Sequence, residues 1–396
     1  MAALGDGRRR PQIALATVWL SVFAMFALRL PSFNALEEDL RRGRGRGWGC
    51  WVGRARGPSA DTVGRVLTRA SLDDQRALLR GLGRQAWRAK SIHGRPGETY
   101  RVVAVDGHEL WASRARCCAE CLSREVTVGA ETVTEYYHRV VVAQWVGVTP
   151  PAIVDVERVL PGEGEVVAAR RLVSRLLESA GRLIDVITAD ALYLEAPFIE
   201  LVLAAGKHVV VVMKQEAREL YQDAQRLRAL QAPQVRVDGA RTTQLWDLPD
   251  LESFSTLGRR VRVVWAEEQT VRQRRVGGER RAVVEPGQWV WVTDLPVAVV
   301  PATKIQQWGH DRWDVENRGF NELATLWHMD HCFVHQPTAI EAVLLALSAA
   351  FVLTYLFYER NLKQRPGTRL ALASRLREEF ALPSPTPLWP EVHRSD

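Results

Sequence analysis

The order of predicted strands and helices between residues 102 and 213 limits the fold of this 396-residue chain more than any other feature. Apolar, β-branched runs predict strands, and apolar residues that recur every three or four positions predict helices. In chain order these are strands 102–105, 135–146 and 152–160, helix 163–180, strand 183–189, helix 195–205 and strand 208–213. Strands separated by helices need crossover connections, so this βββαβαβ order predicts one mixed α/β sheet covered by helices.

Two of the predicted strands lead directly into an aspartate. Asp106 follows the run 101–105 and precedes Gly107, which is typical of a buried strand that ends at a turn. Asp190 closes the second such run before the helix that ends near Gly206, a residue suited to a helix C-terminus. We expect both carboxylates to be displayed at strand ends, on neighbouring strands of one sheet.

A third carboxylate, Glu316, lies in a helical stretch. Glu316, Phe320, Leu323 and Trp327 recur at spacings of four, three and four, so they share one helix face. Three carboxylates at one point repel each other, and at least one would take up a proton unless a divalent cation compensates their charge. Hard oxygen ligands favour Mg²⁺ or Mn²⁺ over zinc, and two such ions about 4 Å apart can drive an in-line attack on a phosphodiester.

Long segments of the chain resemble the bacterial insertion-sequence DDE transposases, whose catalytic core has the ribonuclease H fold. The resemblance covers nearly the whole chain and is carried by VVAVDGHEL, EYYHRVVVAQWVG, EGEVVAARRLVSRLL, ITADALY and RWDVENRGFNELATLWHMDHCFVHQPTAI. It implies that Asp106, Asp190 and Glu316 are the catalytic residues and hold two Mg²⁺ (or Mn²⁺) ions. The implied activity is metal-dependent nicking at the ends of a DNA element, followed by transfer of the freed 3′-hydroxyl to target DNA.

Residues around Glu316 match the family pattern in part. The resemblance implies a Tyr, an Arg and a Lys at fixed offsets; Arg312 stands at the Arg position, Gly309 at the Tyr position and Leu323 at the Lys position. Trp308 is the predicted substitute for the Tyr, since unstacked bases can stack on a tryptophan.

The predicted fold also suggests roles for Lys214, Trp327 and Arg312. Lys214 follows the strand HVVVVM, where it could contact a phosphate or be solvated, and Trp327 is predicted to lie in the core. Arg312 is expected to orient a phosphate or Glu316, or to form an ordinary helical ion pair with Glu316.

The expected fold class is α/β, with a ribonuclease H-like mixed sheet flanked by helices, a β-rich insertion before the Glu316 helix and an α-helical N-terminal region. Predicted strands at 260–267, 280–285 and 288–293 follow a polar helix that ends near Leu230 and indicate the insertion. The predicted division is 1–95 (helical, possibly DNA-binding), 96–213 (core), 214–300 (β-rich insertion), 301–365 (core) and 366–396 (tail).

Helix start signals at Ser59 or Asp61 and at Ser71 predict two short helices in the N-terminal region. They form either a helix-turn-helix that recognises terminal inverted repeats or a scaffold joined to the core.

Charge favours a polyanionic partner. The formal charge is +7, and arginines cluster at 41–56 and 272–281, where they could follow a DNA backbone or belong to solvated loops. DNA, as terminal repeats and as target, is therefore the expected partner, and the resemblance implies a dimer on DNA because two ends must be brought together. The alternative function is a catalytically decayed or regulatory DNA-binding protein that retains the fold.

Five cysteines, an odd number, with three crowded between residues 117 and 121, do not suit a secretory disulfide framework, so the predicted location is cytoplasmic. Cys118 and Cys121 form one CxxC to which His138 could add a ligand. A second group of candidate ligands comprises His328, Asp330, His331, Cys332 and His335. For the CxxC, a thiol-bearing hairpin is favoured over a metal site, because no second pair of ligands follows at zinc-finger spacing. The second group also resembles ligand spacing, but helix-end hydrogen bonding or DNA contact is favoured there because the group directly follows the Glu316 helix.

Two apolar segments, 13–30 and 342–357, approach the length of a membrane span. Both are predicted to be buried helices without membrane contact, since the second directly follows the Glu316 region and that region must fold onto the sheet.

Overall fold

A computed structural model describes residues 8, 10–42, 57–276, 279–362 and 368–381, and a mixed sheet of ten strands dominates this part of the chain. The strands are β1 His93–Gly94, β2 Val102–Ser113, β3 Leu122–Val128, β4 Glu131–Trp145, β5 Val148–Thr149, β6 Ala152–Arg158, β7 Val186–Ala189, β8 His208–Val212, β9 Gln234–Asp238, β10 Arg241–Leu251, β11 Val261–Val276 and β12 Glu279–Thr293. The large sheet has the order β3-β4-β2-β7-β8-β12-β11-β10-β9, with β6 also paired to β4, while β1 and β5 pair separately.

Helices cover the sheet. The α-helices are α1 Leu15–Ala27, α2 Phe33–Arg42, α3 Ala60–Thr68, α4 Leu72–Arg88, α5 Glu165–Ala180, α6 Ala196–Ala204, α7 Glu219–Ala229, α8 Ala302–Asp311, α9 Asn321–Trp327, α10 Pro337–Phe357 and α11 Arg369–Ala381. Short 3₁₀ helices occupy Gly181–Leu183 and Ala191–Tyr193, and π-helical turns occupy Val315–Phe320 and Tyr358–Leu362.

The centre of the sheet has the predicted element order, as β2, β4, β6, α5, β7, α6 and β8. Strand β7 runs parallel to both β2 and β8, whereas β4 is antiparallel to β2 and β6. Helices pack against β4, β6 and β8, and the apolar side chains of β7 are buried. The prediction of a mixed sheet flanked by helices is thus confirmed, and the arrangement is compatible with a ribonuclease H-like fold.

Strand β2 is longer than the sequence pattern predicts. The strand was expected to end at Asp106, but it continues to Ser113 because β4 supplies antiparallel partners beyond that point, including Val142 opposite Asp106. The parallel pairing with β7 does end there, with Val105 opposite Ala189. Asp106 therefore lies inside a strand but just past the end of its parallel pair.

The strands that follow α7 extend the same sheet. Strand β12 pairs with β8, with Trp291 opposite Val212, and the hairpin of β11 and β12 is continuous across the separate runs that the sequence indicates. Strands β9 and β10 were not predicted. Strand β9 is fully exposed and carries no apolar run, and the apolar residues of β10 are interrupted by polar ones. Of the two arginine clusters, positions 43–56 and 277–278 lie outside the described residues, and Arg272 and Arg274 pair with Glu285 across the hairpin.

The N-terminal helices begin at the predicted caps. The Ser59 hydroxyl accepts a hydrogen bond from the Thr62 N–H at 3.2 Å, and that of Ser71 accepts one from the Asp74 N–H at 3.3 Å. Helices α3 and α4 pack against α10, as the scaffold alternative requires. Recognition of DNA by this pair stays a prediction.

The two apolar segments form α1 and α10, which pack against each other and are mostly buried. By length and composition, the helical stretch Pro337–Leu362 could cross a membrane, and most of it is covered by other parts of the described chain. The absence of a membrane contact stays a prediction.

A buried network of charges fastens α4, β6, α5 and α10 together. Asp155 on β6 is fully buried, and Arg80, Arg175 and Arg76 approach its carboxylate at 3.1, 3.0 and 3.6 Å. Arg76 also contacts Glu341 of α10. Each charge in such a network depends on its partners, because a buried ion without a counter-ion is strongly unfavourable.

Candidate active site

Asp106 and Asp190 are neighbours because they follow paired residues of two parallel strands, Val105 of β2 and Ala189 of β7. Asp190 caps the short helix Ala191–Tyr193, and its Oδ1 accepts a hydrogen bond from the Leu192 N–H at 2.7 Å. The cap fixes one oxygen of Asp190 and leaves the other free of backbone partners.

Glu316, the third carboxylate, comes from a helical element much later in the chain. It lies in the π-helical turn Val315–Phe320, which joins the end of α8 to α9. Phe320, Leu323 and Trp327 are buried as the predicted stripe requires, whereas the Glu316 side chain at its start remains 36% exposed. A π-helical turn displaces the side chains that follow it, and such turns are frequent at functional sites.

Arg312 joins two of the three carboxylates. Its Nη1 donates to Asp106 Oδ2 at 2.8 Å and to Glu316 Oε1 at 3.0 Å, and its side chain is only 3% exposed. The expected helical ion pair with Glu316 is therefore present, together with a contact to Asp106 that the sequence did not predict. One cationic nitrogen lies between two carboxylate oxygens.

Burial and nearby charges act together on the pKa of Asp106. Burial raises the pKa of Asp106 to about 7; Arg312 and the Gly107 N–H lower this pKa, while Asp190 and Glu316 raise it further. Burial is the largest of these effects, and the charge of Arg312 offsets it only in part. The oxygens of the three carboxylates are hard donors of the kind that Mg²⁺ and Mn²⁺ prefer, so the residues present fit divalent cations.

A fourth carboxylate, Glu165, lies behind the site. Its Oε1 accepts a hydrogen bond from the Tyr193 hydroxyl at 2.8 Å, and Arg139 pairs with its Oε2 at 3.2 Å. A Cβ atom at Gly107 would lie 2.0 Å from Glu165 Oε2, so the glycine leaves room for this carboxylate. The sequence signal was the Asp-Gly step at 106–107, which was interpreted only as a turn.

Lys214 follows β8 and lies on the Asp190 side of the site. Its Nζ is 3.9 Å from Asp190 Oδ2, and its side chain is 56% exposed. This long, exposed contact leaves the ammonium free to meet another anion.

Trp308 does not occupy the exposed position that was predicted for it. It is 1% exposed, its Nε1 donates to Glu98 Oε2 at 3.1 Å, and its ring lies 5.1 Å from that of Tyr100. The expectation assumed that Trp308 precedes the helical region, but α8 already begins at Ala302 and turns this side chain inward. The proposed stacking of a base on Trp308 is therefore wrong.

Trp313 contacts Arg312, the residue that bridges Asp106 and Glu316. It is half-buried, and the Arg312 guanidinium carbon lies 4.7 Å from the centre of its ring. The sequence pattern did not single out Trp313.

The residues at the Tyr and Lys positions of the family pattern, Gly309 and Leu323, both lie in the core. A Cβ atom at Gly309 would lie 2.1 Å from Nε1 of the buried Trp291, so the indole excludes any side chain there. Leu323 is 1% exposed and faces the core. Neither position presents a group to DNA.

We expect Gly309→Ala to lower the free energy of unfolding by about 1–3 kcal/mol, because Trp291 must move to admit the methyl group. Gly64→Ala is the matched control: its Cβ would meet nothing within 4 Å, and it lies inside helix α3. Urea denaturation of both variants should show a loss for Gly309→Ala and a slight gain for Gly64→Ala. Equal stability of the two variants would contradict the close packing of Gly309 and Trp291.

The family model of the transposase DDE domain matches residues 154–353, which is about half of the chain. The match includes Asp190 and Glu316 and begins after Asp106. The chain belongs to this family of DDE transposases, and the resemblance noted from its sequence motifs is confirmed. No curated protein matches the chain.

Membership in the family carries three general properties to this chain. Its function is that of a transposase, its partner is DNA, and proteins of this family generally use divalent metal ions.

Proposed function

We propose that this transposase cuts DNA at the ends of an insertion sequence and joins the freed 3′ ends to target DNA, with Asp106, Asp190 and Glu316 as its catalytic residues. The observation that carries the proposal is the Arg312 bridge between Asp106 and Glu316, beside an aspartate from the adjacent parallel strand. Three carboxylates from distant parts of the chain converge there, although the packing of the core does not require it.

Asp106, Asp190 and Glu316 would hold two Mg²⁺ or Mn²⁺ ions, as the fit of their oxygens supports. When bound, such ions supply activation of a water or a 3′-hydroxyl and stabilisation of the leaving oxygen. This chemistry requires no covalent intermediate with the protein.

The other residues of the site bind and orient. Arg312 holds the Asp106 and Glu316 carboxylates in a fixed relation and offsets part of their repulsion. Lys214, exposed beside Asp190, is placed to receive a phosphate of the DNA backbone. The Tyr193 hydroxyl and Arg139 hold the Glu165 carboxylate beside Gly107.

The wider proposal follows the family. The sheet is a ribonuclease H-like core with β9–β12 as its insertion, and the active form is a dimer on DNA, since two ends must be joined together. The N-terminal helices α3 and α4 are the proposed contact to the terminal repeats, and the cytoplasm is the proposed location.

Cleavage of DNA that carries the flanking ends of the gene's own locus tests this function. We expect nicks at the ends in Mg²⁺, none in EDTA, and joining of the cut ends to a supercoiled plasmid. DNA with scrambled end sequences is the control substrate and should not be nicked at those positions. Specific binding to the ends without any metal-dependent cutting would contradict the proposal and favour a decayed or regulatory DNA-binding protein.

We expect Arg312→Gln to slow strand cleavage about 10- to 100-fold, because charge-assisted hydrogen bonds to two carboxylates contribute about 1.5–3 kcal/mol. Arg318→Gln is the matched control: Arg318 lies six residues further along the same helical region, pairs with Asp314 at 3.4 Å and touches none of the three carboxylates. Single-turnover cleavage rates compare the variants. Equal rates for Arg312→Gln and Arg318→Gln would exclude a special role for Arg312.

A further inference from the structure

Four potential metal ligands converge outside the active site. Cys118 and Cys121 lie in the loop between β2 and β3, His138 lies on β4, and His335 lies two residues before α10. Their ligand atoms all lie within 4.8 Å of one another. The two candidate groups seen in the sequence, the CxxC with His138 and the histidines after Glu316, thus meet at one place.

Four of the six distances between these atoms are close to the edges of a small tetrahedron. Cys118 Sγ and Cys121 Sγ are 3.7 Å apart, and Cys121 Sγ lies 3.3 Å from His138 Nε2 and 3.2 Å from His335 Nε2. Cys118 Sγ lies 3.5 Å from His138 Nε2. A tetrahedral zinc ion with Zn–S of about 2.3 Å and Zn–N of about 2.0 Å requires edges of about 3.8 Å between sulfurs and about 3.5 Å between sulfur and nitrogen.

The surroundings of the four residues prepare them to bind a metal ion. The backbone N–H of Cys118 donates to Cys121 Sγ at 3.2 Å and holds this sulfur in place. The ring of Trp111 packs against both imidazoles, with centroids 5.2 Å from His138 and 4.6 Å from His335. His138 is 1% exposed, and its Nε2 lies within 3.5 Å of Cys118 Sγ and 3.3 Å of Cys121 Sγ.

We propose that Cys118, Cys121, His138 and His335 form a structural zinc site of the Cys₂His₂ type. Four protein ligands close the coordination sphere and leave no position for a substrate, which distinguishes a structural site from a catalytic one. Thiolate and imidazole ligands select zinc over the Mg²⁺ or Mn²⁺ that the carboxylate site takes.

The site ties the segment after α9 to strand β4 and to the loop between β2 and β3. Cys121 and His335 are 214 positions apart in the chain, so a shared ion closes a long loop. On the same segment, Asp330 lies 2.7 Å from Nε2 of His108, and the His108 ring stacks on Phe320 of the π-helical turn. The zinc site therefore holds the helix of Glu316 against the strand of Asp106.

Metal analysis of the full chain tests this inference. The protein, purified under reducing conditions with a tag that contains no histidine, is expected to hold about one zinc ion per chain. Replacement by Co²⁺ should give thiolate-to-cobalt charge transfer and the visible bands of a tetrahedral ion. Folded wild-type protein that takes up neither ion, or a Co²⁺ spectrum without the thiolate band, would overturn the proposal.

Variants assign the ligands. Cys121→Ser and His335→Ala are expected to lose the bound zinc, whereas Cys117→Ser should keep it, because Cys117 is exposed and lies outside the four-residue cluster. Circular dichroism establishes which variants fold. If a ligand variant does not fold, the Co²⁺ titration of the wild-type protein still tests the proposal. Zinc retained in folded Cys121→Ser, or lost in Cys117→Ser, would contradict the assigned ligands.

Discussion

Asp190→Asn should abolish strand cleavage while the protein still folds and binds DNA, and Asp106→Asn and Glu316→Gln should do the same. Each change removes a negative oxygen ligand but keeps the shape of the side chain. A metal ion in such a centre contributes several kcal/mol of transition-state stabilisation, and about 4 kcal/mol corresponds to a loss of about 10³-fold in rate. Single-turnover cleavage of end-containing DNA in Mg²⁺ measures the loss.

Asp223→Asn is the control for this series. It makes the same chemical change on helix α7, where Asp223 forms only a surface pair with Arg226 at 3.1 Å, and it should leave the cleavage rate unchanged. DNA affinity measured for each variant separates lost chemistry from lost binding. Wild-type cleavage rates in any of the three carboxylate variants would remove that residue from the catalytic set.

The second large effect concerns stability. We expect Asp155→Ala to lower the free energy of unfolding by about 3–5 kcal/mol, because it leaves buried guanidinium groups without their shared counter-ion. Arg76, Arg80 and Arg175 all lie within 3.6 Å of this carboxylate, which is itself fully buried. Urea denaturation followed by circular dichroism measures the change.

Asp73→Ala provides a matched control within the same network. Asp73 pairs with the same Arg76 at 3.3 Å, but its side chain is 89% exposed, so water replaces the lost partner. The stability of Asp73→Ala should be close to that of the wild type. If Asp155→Ala cost no more than Asp73→Ala, the buried charges would not hold α4, β6 and α10 together.

The sequence predicted the parts of the fold that depend on local patterns. Alternating and continuous apolar runs predicted the central strands, and capping serines predicted the starts of α3 and α4. The helical stripe from Glu316 to Trp327 was also a local signal, although nothing in it indicated a π-helical turn. Whether the three carboxylates act as the family pattern implies stays a prediction, since only a rate measurement tests it.

The sequence pattern could not predict contacts between segments that are distant in the chain. Trp308 was misjudged because its environment depends on Glu98 and Tyr100, far away in the chain. Likewise, the CxxC looked incomplete because His335, which completes the four ligands, comes more than two hundred positions later. In both cases the decisive neighbour is brought close by the folding of the sheet and not by the spacing of residues.

The most direct test of the central claim is a metal-specificity switch at the scissile phosphate. A non-bridging oxygen of that phosphate is replaced by sulfur, which Mg²⁺ binds poorly and Mn²⁺ accepts more readily. If Asp106, Asp190 and Glu316 hold ions that contact this phosphate, cleavage of the sulfur-containing end should fail in Mg²⁺ and recover in Mn²⁺, with the unmodified end cut in both. Equal cleavage of the modified and unmodified ends in Mg²⁺, or cleavage that persists in EDTA, would contradict the proposed metal-dependent site.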